Sequence, residues 1–129
     1  MPRHPSTQPT EVELQILRIL WEHGPSTARE IHNQLSGERA TNYSTTVKML
    51  SVMLDKQIVK RDETVRPQVY RTAVTQDRTQ ERMLKDLIHK AYDGSVGSLV
   101  LQALSSQKSS PGELAEIRHL LNELEGGEK

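Results

Sequence analysis

The 129-residue sequence contains no cysteine, no phenylalanine and only 3% aromatic residues. The absence of cysteine excludes disulfide bonds and thiolate metal sites. Without phenylalanine, a core must be built from Leu, Ile, Val and Met, and we expect these residues on helices. There is also no signal peptide and no apolar run long enough to cross a membrane, so we expect a soluble, cytoplasmic protein with no membrane partner. A chain of this length accommodates one domain or two small ones.

Sequence motifs for catalysis are missing as well. The five histidines occur at no H-E-x-x-H or similar metal-ligand spacing. There is no G-x-S-x-G motif, no phosphate-binding glycine loop and no cysteine nucleophile. We therefore predict no enzymatic activity, no catalytic residue, no cofactor and no metal site.

The formal net charge is zero, which argues weakly against a nucleic-acid-binding protein. The charge is distributed unevenly, however. Residues 1–75 hold ten Lys and Arg against eight Asp and Glu, whereas residues 76–129 hold seven against nine. The first part of the chain therefore permits a basic face.

A predicted helix that starts near Tyr43 or Ser44 and ends near Lys56-Gln57 has two distinct faces. One is an apolar stripe of Met49, Leu50, Met53 and Leu54 at three- and four-residue spacing, which is typical of a helix packed on a core. The other has Ser44, Lys48, Ser51 and Asp55 at the same spacing and is short-chained and polar with one cation. Small hydroxyls and a lysine suit the major groove of DNA; a merely solvated face is the alternative. The residues predicted to contact DNA here are Ser44, Thr45, Lys48 and Ser51.

The elements around this helix occur in the order of a winged helix. Capping boxes at Thr10–Glu13 and Thr27–Glu30 begin two earlier helices, and Gly24-Pro25 ends the first. The second and third helices form a helix-turn-helix arrangement. Two β-rich runs around a polar turn at residues 62–67 predict a hairpin, or wing. The turn carries Arg66, and the strands carry Lys60, Arg61 and Arg71. Of these cations, Lys60, Arg61 and Arg66 are predicted to contact DNA phosphates.

After residue 74 the pattern is wholly helical, with polar residues from Ser105 to Ser110 predicted as a loop. Three short amphipathic helices make a thin core for an independent domain. We predict that they pair with a second copy of the chain; packing back on the first domain is the alternative. The predicted dimer contacts are Leu84, Leu87, Ile88, Leu99, Leu114, Ile117, Leu121 and Leu124.

The predicted fold class is mainly α with a small β-hairpin, a winged helix-turn-helix head followed by a C-terminal helical dimerisation region. Residues 1–9 are predicted to be a disordered arm, residues 10–74 the DNA-binding domain and residues 75–129 the dimerisation domain. Gly126-Gly127 is expected to end the ordered part of the chain.

Over residues 8–125 the chain resembles the penicillinase-repressor family. The similar stretches include T-E-V-E-L-Q-I-L-R-I-L-W from Thr10, Y-S-T-T-V-K-M-L from Tyr43 and D-K-Q-I-V-K-R from Asp55. The resemblance implies a homodimeric winged-helix repressor that binds a palindromic operator in double-stranded promoter DNA. It further implies control of a β-lactamase-type or stress-response operon. A winged-helix module that binds only protein is the alternative.

The chain departs from this family at two regulatory positions. Antibiotic-responsive members are inactivated by cleavage at an Asn-Phe step, which corresponds here to Gln102-Ala103. Whether a regulatory protease acts on this chain is therefore left open by the sequence. Copper-responsive members carry paired C-terminal cysteines, and this sequence has none, so the resemblance does not extend to copper sensing.

Overall fold

The structure is a computed structural model that describes residues 8–35 and 42–126. The described residues up to Leu84 form one compact unit, and those from Lys85 onward form a second. Most of the predicted N-terminal arm lies outside the described residues. The same holds for the predicted end of the second helix at Ser36-Gly37-Glu38 and for Gly127.

The first helix, α1, spans Glu11–His23 and begins at the predicted capping box. The Thr10 hydroxyl accepts the backbone N–H of Glu13 at 3.2 Å, and the Glu13 carboxylate accepts the N–H of Thr10 at 3.0 Å. The helix ends at Gly24, whose φ of +80° is accessible to glycine without the steric cost of a Cβ. Local chemistry therefore sets both ends of α1.

The second helix, α2, spans Ala28–Leu35, and the third helix, α3, spans Tyr43–Asp55. The predicted capping box of α2 is present, because the backbone N–H groups of Thr27 and Glu30 each donate to the other residue's side chain. The start of α3 is confirmed at Tyr43, and its end at Asp55 lies within two residues of the predicted one.

The predicted hairpin is confirmed, but the sheet has a third strand. Strands β2 (Val59–Asp62) and β3 (Val69–Thr72) pair antiparallel, and β1 (Ser26–Thr27) pairs with the free edge of β3. The two residues of β1 lie opposite Tyr70 and Val69. A strand of two residues has no periodicity of its own, so the sequence offered no signal for it.

The core of the first unit is built mainly from Leu, Ile, Val and Met, as the composition predicted, but it is not confined to helices: Ile58, Val59 of β2 and the aromatic Tyr70 of β3 also belong to it. Trp21 packs against its edge, and its indole N–H donates to the carbonyl of Val74 at 3.0 Å. This bond ties α1 to the chain just after β3. The buried hydrophobic residues are Ile16, Leu17, Leu20, Ile31, Leu35, Leu50, Met53, Ile58, Val59 and Tyr70.

The remaining helices are α4 (Gln76–Ala91), α5 (Val96–Ser106) and α6 (Pro111–Gly126). The prediction of a loop from Ser105 was wrong by two residues. The Ser105 and Ser106 hydroxyls donate to carbonyls four residues earlier at 2.7 Å, which satisfies them within the last turn of α5. Across residues 8–35 and 42–126, we find no helix with the length and hydropathy needed to traverse a bilayer.

Candidate nucleic-acid and dimer interfaces

The outward face of α3 carries the four residues predicted to contact DNA. Ser44, Thr45, Lys48 and Ser51 are all exposed. Lys48 has no ion-pair partner within the part of the chain that the structure describes. The face therefore offers three short hydroxyls and one uncompensated cation, a set that can reach base edges and phosphates.

The inward face of α3 is fixed to α2 near its first turn. Thr46 is 1% exposed, and its hydroxyl is hydrogen-bonded to Nδ1 of His32 at 2.9 Å. Leu50 and Met53 continue this buried face toward the C-terminal end. The hydrogen bond and the apolar contacts together set the rotation of α3 about its axis, and so decide which residues point outward.

The C-terminal end of α3 is fixed to α1 by an ion pair. The Lys56 ammonium lies 2.8 Å from the Glu13 carboxylate, and both side chains are largely buried. Sequence reasoning assigned Glu13 only to the capping box and gave Lys56 no role. The 43 positions between the two residues leave no local pattern from which this pair could be recognised.

An aromatic contact lies at the start of α3. The Arg29 guanidinium of α2 is 3.9 Å from the centroid of the Tyr43 ring, and the His32 ring meets Tyr43 edge-on at 5.6 Å. A shallow depression of about 210 Å³ runs from Tyr43 and Val47 to Gln68 of the wing. The first half of α3 and the base of the wing turn therefore lie on the same side of the first unit.

Strand register separates two of the wing cations. Arg61 lies opposite Tyr70, whereas Lys60 lies opposite Arg71. Directly opposed residues point to the same face of an antiparallel pair, and neighbours along a strand point to opposite faces. Arg61 therefore shares the face of Tyr70, which lines the depression beside α3. Lys60 lies on the other face, so the structure does not bring it together with α3.

The wing turn is ordered by a short-range motif and carries Arg66 at its exposed surface. Both the hydroxyl and the backbone N–H of Thr64 donate to the Asp62 carboxylate. These two hydrogen bonds, with a smaller contribution from the charge of Arg71, hold the pKa of Asp62 below its ordinary value. The Arg61–Glu63 contact at 3.9 Å joins two exposed groups and is correspondingly weak.

The second unit has apolar side chains but no buried core. Among its described residues, from Lys85 to Gly126, none is buried. Ile88, Leu99 and Ile117 are partly exposed. The other residues predicted for the dimer interface are between 42% and 59% exposed; they are Leu84, which ends the first unit, and Leu87, Leu114, Leu121 and Leu124.

The described residues contain no cluster of three or more His, Asp or Glu side chains placed to hold a metal ion. The structure therefore presents two kinds of surface: a polar face on α3 beside a cationic wing, and an apolar surface on the C-terminal helices.

Comparison with known proteins identifies the family. The family model for penicillinase repressors matches residues 9–123. The penicillinase repressor of Staphylococcus aureus is 23% identical over 87% of this chain and 89% of its own length. The penicillinase repressor of Bacillus licheniformis is 23% identical over 90% of this chain and 91% of its own length. The methicillin resistance regulatory protein MecI of Mammaliicoccus sciuri is 23% identical over 88% and 92%.

Among solved structures, a MarR family protein from Bacillus stearothermophilus aligns with a TM-score of 0.49 and 21% identity, over 96% of this chain and 76% of that one. The assignment rests on the sequence match, and the order of three helices and a hairpin agrees with it. The chain therefore belongs to the penicillinase repressor family and is a winged-helix transcriptional repressor, not an enzyme.

Proposed function

We propose that the protein is a homodimeric repressor that binds double-stranded DNA at an inverted-repeat operator in a promoter. The observation that carries this proposal is the outward face of α3, with Ser44, Lys48 and Ser51 exposed beside the wing. In a winged helix, a helix of this kind enters the major groove while flanking cations contact the backbone. In our proposal Lys48 and the three hydroxyls, Thr45 included, contact the operator through the major groove.

The wing supplies phosphate contacts in this proposal. Arg66 is exposed in the turn, and Arg61 lies on the strand face nearest α3. Both guanidiniums can pair with phosphate oxygens, and such contacts fix position without reading sequence. We place Lys60 outside this set, because it lies on the opposite strand face.

The C-terminal helices form the dimer interface in this proposal. Leucines at Leu114, Leu121 and Leu124 follow one stripe of α6 and are half-exposed. A helical unit with no buried residue gains little stability alone, and a second copy buries this surface symmetrically. Two copies also present two α3 helices, as two half-sites of an inverted repeat require.

The relatives' names suggest the regulated genes. They are called penicillinase repressor and methicillin resistance regulatory protein, so an operon of the β-lactamase type is the first candidate and a stress-response operon the second. We do not include a regulatory protease in the proposal, because Gln102-Ala103 lies inside α5, where the backbone is helical.

The test begins by mapping the DNA that the protein protects upstream of its own gene. Binding to this duplex and to a scrambled duplex is then measured by fluorescence anisotropy between about 50 and 200 mM salt. We expect affinity for both duplexes to fall steeply with salt, because bound phosphates release counterions. Arg66→Ala should weaken both complexes equally and reduce the salt slope by about one.

The competing function is a winged-helix module that binds only protein. It predicts no protected DNA and no salt-dependent binding to either duplex, and this result would overturn our proposal. A loss confined to the operator in Arg66→Ala would leave DNA binding intact but would assign base recognition to Arg66.

A further inference from the structure

A cavity of about 270 Å³ lies in the first unit, where the wing ends and α4 begins. Ile58, which precedes β2, and Val74, which follows β3, give it apolar walls. Thr75 and three residues of α4, which are Arg78, Thr79 and Arg82, also line it. The remaining lining residues are Gln8, Pro9 and Ala73. None of the residues proposed to contact DNA lines this cavity, so we treat it as a separate feature, the α4 cavity.

The α4 cavity is lined by positive charge without a matching negative charge. Arg78 and Arg82 are exposed and lie one turn apart on the same helix. Neither guanidinium forms an ion pair or a hydrogen bond within residues 8–35 and 42–126. No Asp or Glu is among the described residues that line it. Like charges at this spacing repel each other, so a bound anion would relieve an unfavourable interaction.

The two threonine hydroxyls of the α4 cavity take part in local hydrogen bonds, and the Gln8 side-chain amide donates to the carbonyl of Arg82 at 3.4 Å. The Thr79 hydroxyl donates to the carbonyl of Thr75 at 2.8 Å, and the Thr75 hydroxyl accepts the N–H of Arg78 at 3.1 Å. The two guanidiniums are the charged donors that line the cavity. Guanidinium groups bind carboxylates in a bidentate manner, and the apolar walls suit a hydrocarbon portion.

We propose that the α4 cavity binds a small organic carboxylate with a short apolar body. Arg78 and Arg82 bind the carboxylate, and Ile58 and Val74 contact the apolar part. The volume lies just below the usual range for small-molecule pockets, so the ligand is a small one. This site is independent of the proposed DNA contacts and would exist even if that proposal failed.

The position of the cavity gives such a ligand access to the wing. The N–H of Ala73 donates to the carbonyl of Ile58 at 2.9 Å, which joins the two chain segments at the base of the hairpin. Val74 follows Ala73 in the chain, and its carbonyl accepts the indole N–H of Trp21 at 3.0 Å. A ligand between Ile58, Val74 and α4 therefore contacts both ends of the hairpin that forms the wing.

The experiment uses the full chain and two probe carboxylates, phenylacetate and octanoate. Their neutral analogues, phenylacetamide and octanamide, test the need for charge, and inorganic phosphate tests the need for an apolar body. Binding is followed by ¹H–¹⁵N NMR shifts. We expect dissociation constants below about 1 mM for at least one carboxylate, with shifts at Ile58, Val74 and Thr79. The neutral analogues and phosphate should bind at least tenfold more weakly.

Substitutions provide the second readout. Arg78→Gln and Arg82→Gln should each weaken binding about tenfold, the effect of one lost charge-assisted contact. Arg118→Gln on α6 is the matched control and should bind as the parent does. Ala73→Leu, at the cavity lining, should also reduce binding without altering charge. Thermal unfolding of each variant checks that the fold is retained.

Three outcomes would overturn the proposal. The first is that no probe shifts the resonances of the lining residues. The second is that the neutral amides bind as tightly as the carboxylates, or that inorganic phosphate binds while neither carboxylate does. The third is that Arg78→Gln and Arg82→Gln weaken binding to random DNA as strongly as Arg66→Ala while no probe binds, which would assign both arginines to the DNA surface.

Discussion

The Lys56 ammonium donates a hydrogen bond to Oε1 of Glu13 at 2.8 Å. The same oxygen atom also accepts the backbone N–H of Thr10. The side chains of Glu13 and Lys56 are 6% and 12% exposed. This oxygen therefore takes part in the capping box at the start of α1 and also binds the lysine that follows the last residue of α3. Because α3 carries the proposed DNA contacts, the first-turn chemistry of α1 also helps to position the DNA-binding face.

Removing one partner of this pair should destabilise the protein strongly. Lys56→Met leaves the Glu13 charge buried without its cation, and we expect a loss of about 3 kcal/mol in the free energy of unfolding by urea. The double variant Glu13→Gln/Lys56→Met should be more stable than Lys56→Met, because Gln retains the capping box without a charge. Lys85→Met, at an exposed position, is the control. A loss no greater than that of the control would show that the pair contributes nothing.

Lys48 is expected to be the main charged contact of α3 with the operator. Lys48→Ala should weaken operator binding by about 1–3 kcal/mol if the ammonium meets a base edge. Anisotropy titrations of operator and scrambled duplex measure the change, with Lys85→Ala as an exposed control outside α3. Unchanged operator affinity at physiological salt would remove Lys48 from the interface.

The two adjacent wing cations should behave differently. Arg61→Ala is expected to weaken binding to both operator and random DNA and to reduce the salt slope by about one, because one phosphate contact is lost. Lys60→Ala should leave both nearly unchanged, since its side chain lies on the other strand face. Equal losses in the two variants, measured in parallel salt titrations, would contradict the assignment from strand register.

A charge placed in the apolar stripe of α6 should separate the proposed dimer. Leu121 is 51% exposed, and Leu121→Glu introduces a carboxylate that is costly to bury in an interface. Sedimentation equilibrium should then report the 14.6 kDa monomer. Operator affinity should fall by roughly 10²–10⁴, because the second head is no longer tethered. Asn122→Glu, on another side of the same helix, is the control. A monomeric parent protein would refute the proposed dimer.

The wing turn should have a pH dependence that follows from Asp62. Its folded-state pKa lies below its ordinary value because the carboxylate accepts two hydrogen bonds from Thr64. The resulting stabilisation is present above the unfolded-state pKa of about 3.9 and is lost as pH falls through the folded-state pKa. Thr64→Ala should raise the pKa of Asp62, as followed by NMR titration of the carboxyl carbon. The backbone N–H of residue 64 is retained in this variant, so an unchanged pKa would show that the Thr64 hydroxyl does not lower the pKa of Asp62.

The sequence by itself determined where several helices and the hairpin form, because these features depend on interactions between residues close together in the chain. The capping boxes at Thr10 and Thr27 predicted where α1 and α2 begin, because the bonds that form them join residues three apart. The spacing of Leu50 and Met53 predicted the buried face of α3, and hence its polar face. The hairpin was predictable because two β-rich runs flank a polar turn. All of these signals involve residues close together in the chain.

The tertiary structure alone decided how those elements meet. The pairs His32–Thr46 and Glu13–Lys56 fix α3 to its neighbours, yet neither residue type nor spacing indicates them. The pairing of Arg61 with Tyr70 decides which wing cation lies beside α3, because a shift of one residue would reverse the faces. Strand β1 exists only where β3 offers an unpaired edge. Contacts between distant segments depend on packing and register, which arise only when the whole unit has folded.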